Sequence, residues 1–99
     1  MSMSDDEEAT EREFRRVADT FIDQANEHIA TVPKENVGMS LLFAAARFNA
    51  FVVATHAKTA DKYDQDRARA IEFFTEKYVQ MLEENLDDYR SVLERKPDA

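Results

Sequence analysis

The stretch Leu41–Ala54, LLFAAARFNAFVVA, decides the fold. It is apolar on nearly every side and is interrupted only by Arg47 and Asn49. A helix that is apolar all round belongs between other elements. The segments before and after it are therefore read as its cover.

Before it, Phe14, Val17, Ala18, Phe21, Ile22, Ala25, Ile29 and Val32 recur in steps of three and four. That rhythm puts them on one stripe of a helix. The opposite face carries Glu13, Arg16, Asp19, Asp23, Asn26, Glu27 and Thr31. Residues 1–9 are polar and acidic and are expected to be disordered. Two capping boxes are available, Ser4 with Glu7 and Thr10 with Glu13; the apolar rhythm begins just after Thr10, which favours the second. Pro33 ends the helix, because the residue before a proline is pushed toward an extended conformation.

Asn36 is the expected N-cap of the central helix, from about Val37 to Lys58, with Gly38 loosening its first turn. Thr59, Asp61 and Asp64 each meet the requirements of a cap for the third helix. That helix bears a stripe of Ile71, Phe74, Tyr78, Met81, Leu82, Tyr89, Val92 and Leu93 and reaches about Arg95, with Pro97 beyond it. The expectation is an all-α fold: an up-down-up antiparallel three-helix bundle forming a single domain over residues 10–96. The third helix outruns its neighbours. Asn85 lies on its stripe where the overhang begins, as a bend or a buried hydrogen-bonding point, with Tyr89 and Leu93 folded over the Val32–Val37 connection. A straight, projecting helix is the alternative, and it would leave Tyr89 and Leu93 in need of a partner.

Composition narrows function by exclusion. The chain has 99 residues and a net charge of −8, from 21 acidic and 13 basic side chains. Such a balance repels phosphate backbones and anionic lipid, so neither nucleic acid nor a membrane is expected as partner. Without cysteine there is no disulfide, thiolate metal site or cysteine nucleophile. The N-terminal MSMSDDEEATERE has no apolar core, unlike a signal peptide, and Leu41–Ala54 falls short of the roughly 20 apolar residues a membrane span needs. A soluble cytoplasmic protein is the expectation.

Three segments carry a family resemblance: LLFAAARFNAF at Leu41–Phe51, FIDQANE at Phe21–Glu27, and FFTEKYVQMLEENLDDY at Phe73–Tyr89. Together they make the chain resemble the DUF3144 family of small proteobacterial proteins. The resemblance implies an all-helical cytoplasmic bacterial protein. It brings no activity and no catalytic or binding residue with it.

The polar residues of the central stretch are the first candidates for chemistry. Arg47 and Asn49 stand about 200° apart on a helix, so they form two polar devices rather than one site. Arg47 shares the least apolar side with Ser40, Ala54 and Lys58, where it either pairs with a carboxylate such as Asp23 or Glu76 or anchors an anionic ligand. Asn49 reads as a register-fixing contact in a core or an interface.

Other chemistry has little to stand on. Neither His28 nor His56 follows a glutamate by three residues, as a helical di-metal site requires, and the Asp19, Asp23, Glu27 row sits on a polar face. The serines lie at termini or helix ends with no histidine nearby in sequence, and Gly38 stands alone. The arginines of the Arg12–Arg16 region and Arg67 are read as partners in helical ion pairs, the latter with Asp64. No catalytic residue, metal or cofactor is expected.

An apolar surplus remains. Phe43, Ala46, Ala50 and Ala57 line a side of the central helix that neither neighbour accounts for, and Phe73 points away from the stripe of the third helix. These residues predict a non-enzymatic interaction module that self-associates, as a homodimer, or that binds an unidentified protein. The alternative is a small-molecule-binding or enzymatic bundle with Arg47 as anion anchor.

Overall fold

A computed structural model describes residues 4–96. The fold is all-α, with three helices and no strand among the described residues: α1 (Asp5–His28), α2 (Lys34–Ala57) and α3 (Ala60–Arg95). The class and the number of helices are those the three apolar segments predict. At 1.5 Å per residue, α1 and α2 are each about 36 Å long and α3 about 54 Å.

The helix ends show which local signals prevail. The first helix begins well before Thr10, because Ser4 provides the cap: its hydroxyl accepts from the Glu7 amide at 3.2 Å and donates to the Glu7 carboxylate at 3.3 Å. The first turn that follows, Asp5, Asp6, Glu7 and Glu8, places negative charge at the positive end of the helix dipole. Thr10 lies inside the helix, its hydroxyl donating to the Asp6 carbonyl at 2.9 Å. The disordered segment expected through residue 9 is thus corrected for residues 4–9; residues 1–3 lie outside the described residues, as does Pro97 at the other end.

At its C-terminal end, α1 stops at His28 rather than Val32. Residues 29–32 continue as tight turns in which the amides of Ala30, Thr31 and Val32 donate to the Glu27 and His28 carbonyls. Pro33 then starts α2. Its carbonyl accepts from the amides of Asn36 and Val37 at 3.0 and 3.1 Å, so the helix opens at Lys34 and Asn36 sits within its first turn instead of capping it. A proline fits here because its missing amide would have had no partner in the helix.

The second connection has two residues. Lys58 adopts a left-handed φ of 68° while its amide still donates to the Ala54 carbonyl at 3.0 Å. Thr59, extended at φ −128° and ψ 154°, caps α3 by accepting from the Lys62 amide at 3.2 Å. Of the three candidate caps, Thr59 is the one used. The third helix then runs unbroken through Asn85 to Arg95.

The chain divides into two compact units, one up to Asn49 and one from Ala50 onward. The first holds α1 with the opening part of α2; the second holds the end of α2 with α3. Each unit by itself is therefore built on a pair of helical segments, and each part of Leu41–Ala54 has one helical neighbour within its own unit. Among the described residues, Val37 in the first turn of α2 and Ala57 at its last residue are the buried apolar side chains. Leu41, Leu42, Phe43, Phe48 and Phe51 are all exposed, as are Phe14, Phe21 and Ile22 on α1 and Ile71, Leu86, Tyr89 and Leu93 on α3.

Candidate functional site: the exposed apolar faces

On α2, Phe43, Ala46 and Ala50 follow one another at steps of three and four, which puts them on one helix face. All three are exposed, and the Phe43 side is the most open, at 70%. Ala57, expected to extend this face, is buried at 6% and does not belong to it. The unit boundary falls between Asn49 and Ala50, so Phe43 and Ala46 belong to the first unit and Ala50 and Phe73 to the second.

Phe73 is 52% exposed, but its ring already has company. Phe74 meets it edge to face with centroids 5.3 Å apart, and the Lys77 ammonium stands 5.7 Å from its centroid. The edge-to-face geometry places the positive rim of one ring against the negative face of the other, and a cation over a ring is drawn to that ring's negative face.

The two polar residues of the central stretch behave as separate devices. Arg47 is exposed, and neither Asp23 nor Glu76 pairs with it; its guanidinium has no ion pair among the described residues. Asn49 is half-buried and its side-chain amide makes no hydrogen bond to another described residue. Asn85 is exposed rather than buried, and its side-chain amide donates to the Met81 carbonyl at 2.8 Å, one turn back on its own helix. That bond accounts for the residue without a break in α3. Tyr89 and Leu93, one and two turns further on, are exposed at 69% and 68%, as in the straight-helix alternative.

Ion pairing is local. Arg15 pairs with Glu11 at 3.0 Å, Lys62 with Asp66 at 2.7 Å, and Arg90 with Glu94, all one helical turn apart. Such exposed pairs contribute about 0.2–0.5 kcal/mol each. The expected Asp64–Arg67 pair is not among them.

A groove of about 380 Å³ lies within the second unit. Val52, Val53 and His56 form one wall, and Asp66, Arg69, Ala70, Phe73 and Phe74 form the other. The sequence pattern leaves these residues apart, since their meeting depends on the register set by the Lys58–Thr59 turn. His56, Asp66 and Arg69 supply polar groups at a mainly apolar trough, but Asp66 is already engaged by Lys62 and no hydroxyl or thiol nucleophile lines the walls. Among the described residues, no three of His, Asp and Glu lie close enough to hold a metal ion.

The length of α2 revises one expectation. Leu41–Ala54 alone is too short for a bilayer, but Lys34–Ala57 has 24 residues and a mean hydropathy of 1.7 over its most apolar window. By length and composition it is the one described helix that could cross a membrane.

The chain belongs to the family described as Protein of unknown function (DUF3144), which matches residues 14–90. The match takes in most of α1, all of α2 and α3 as far as Arg90. No curated protein and no solved structure matches the chain.

Proposed function

We propose that this family member is a non-enzymatic helical interaction module that associates with a second copy of itself. One observation carries the reading: all three helices leave most of their large apolar side chains exposed, and Val37 and Ala57 are the described apolar residues that are buried. Burial of apolar surface is the main favourable term in folding, about 25 cal/mol per Å². A chain of 99 residues with so little of it buried has strong reason to cover those faces by association. The Phe43, Ala46, Ala50 face is the first candidate contact, because the small alanines let another helix come close; Phe73 is the second. The sign of the charge fits a cytoplasmic protein that binds neither nucleic acid nor anionic lipid.

Sedimentation velocity across the micromolar range tests the reading. A dimer is expected, and Phe43→Lys should shift it toward monomer. A wild-type chain that stays monomeric at high micromolar concentration would overturn self-association.

The same proposal keeps α2 out of the bilayer. Arg47 and Asn49 fall near its middle, and an arginine at the centre of a span costs about 2.5–3.5 kcal/mol on insertion scales. In a flotation assay with zwitterionic vesicles the protein should stay in the dense fraction; comigration with the vesicles would reverse this part.

A second reading is favoured by the unpaired guanidinium of Arg47, which is available to a carboxylate ligand. The groove of the second unit does not include it. Calorimetric titration with a small dicarboxylate should give a signal that Arg47→Gln removes if the anchor exists. No heat with the wild-type chain would dispose of it.

A further inference from the structure

The C-terminal half of α3 presents Val79, Leu82, Leu86, Tyr89 and Leu93 at steps of three, four, three and four. All five are exposed, from 44% at Leu82 to 69% at Tyr89. This is the a/d spacing of a coiled-coil seam, and it differs from the broader stripe further back on the same helix. Two of the five, Val79 and Leu86, lie off that stripe. The spacing calls for a helix as partner, because each knob of such a seam fits a hole between four residues of a facing helix.

The charges beside the seam say which helix. Glu83 and Arg90 occupy equivalent flanking positions, each one residue after a d-type position, and have opposite sign. The remaining acids of this segment, Glu84, Asp87, Asp88 and Glu94, stand at positions that face away from the seam. In an antiparallel pair of identical helices, Leu82 meets the partner's Leu93 and Leu86 meets the partner's Tyr89. Glu83 of each copy then lies beside Arg90 of the other, twice by symmetry. A parallel pair would set Glu83 against Tyr78 and Arg90 against Asn85, with no opposite charges facing. We infer that the exposed seam from Val79 to Leu93 is an antiparallel docking surface for the same segment of a second copy of this chain.

This inference rests on the self-association reading and gives it a second surface, distinct from the Phe43 face. The seam is about two heptads, shorter than the three or four that an isolated coiled coil needs. What helps it is order already present: residues 79–93 are helical as part of a 36-residue helix, so association has little backbone entropy to overcome. The intrahelical pair with Glu94 competes for the Arg90 guanidinium, but both side chains are exposed and such a pair is weak, so little opposes its exchange to Glu83 of the other copy.

Sedimentation and spin-label distances test the pairing in the full chain. Leu86→Lys should weaken the dimer by more than tenfold. Glu83→Arg should weaken it by about tenfold, two cross-pairs each turning from attraction to repulsion, and Glu83→Arg with Arg90→Glu should restore it. Because the chain lacks cysteine, single labels are clean. An Asp88→Cys label faces away from the seam but is level with the proposed two-fold axis, so it should be offset from its mate by only about 1.5 Å along the axis. A Lys77→Cys label should be displaced from its mate by about 32 Å along the axis. Short distances at both sites, or a dimer indifferent to Leu86→Lys and Glu83→Arg, would overturn the antiparallel seam while leaving self-association in place. A wild-type monomer at high micromolar concentration would remove both.

Discussion

At its first residue α2 is fixed by a proline and a succession of overlapping turn hydrogen bonds; at its last it is fixed by a left-handed lysine and a threonine cap. Each end carries one of the two apolar side chains that are buried among the described residues, Val37 and Ala57. The entering connection takes five residues and uses the restricted backbone of Pro33, so its stability comes from what the chain cannot do. The leaving connection takes two, and it forces Lys58 into a region that costs an L-residue roughly 1–2 kcal/mol. That cost must be offset locally, by the Thr59 cap and by burial of Ala57. The long middle of α2 contributes less to holding the two ends, since most of its large side chains are exposed. Folding constraint in this chain is therefore concentrated at turns, while the helix faces stay open, which is the surface the proposed self-association would cover.

If that contrast is right, the largest effect comes from the entering end. Val37→Asp places a charge at a 7% exposed position and should cost about 3 kcal/mol of unfolding free energy in urea titration. Val79→Asp, at a 49% exposed position, should cost less than about 0.5 kcal/mol at dilutions where the chain is monomeric. Comparable losses at the two sites would break the distinction between turn and face.

Next in size is the cap at the leaving end. Thr59→Ala removes the acceptor for the Lys62 amide and should cost about 1 kcal/mol, whereas Thr59→Ser should retain most of the stability. The Lys58→Gly substitution has the opposite sign. Relief of the left-handed lysine outweighs the added freedom of glycine in the unfolded chain, for a net gain of about 0.7 kcal/mol. A melting temperature that falls on this change would mean the turn is not strained.

The helices themselves were legible because a period of three to four residues is a property of the chain alone: the stripes of α1 and α3 and the apolar run of α2 mark three helices without reference to packing. The ends were legible only where a single signal was available. Thr59 was one of three candidates, and the Ser4–Glu7 box competed with Thr10–Glu13. The structure uses the outer box because Asp5–Glu8 favour the helix start and nothing between Ser4 and Thr10 breaks a helix. The groove of the second unit was not legible. Its walls meet through the register of a two-residue turn whose left-handed position is held by lysine instead of the glycine that would signal it. For the candidate site, angular spacing separated Arg47 from Asn49 and put Phe43, Ala46 and Ala50 on one face. Burial of Ala57 depends on the turn beside it and could not be read from spacing.

The smallest effect concerns the first turn of α2, where Gly38 follows the buried Val37. A side chain there would meet open space, with no atom within 4 Å of a Cβ added at Gly38, and the residue has an ordinary helical backbone. Gly38→Ala should therefore stabilise the chain by about 0.5 kcal/mol, less than the full helix-interior difference because the site lies near the helix start. The entering end already draws rigidity from Pro33, so the gain should come chiefly from the unfolded state and leave the oligomer unchanged. A change in oligomeric state on Gly38→Ala would instead place this turn in the contact between copies, extending the association surface from the helix faces to the turn that holds them in place.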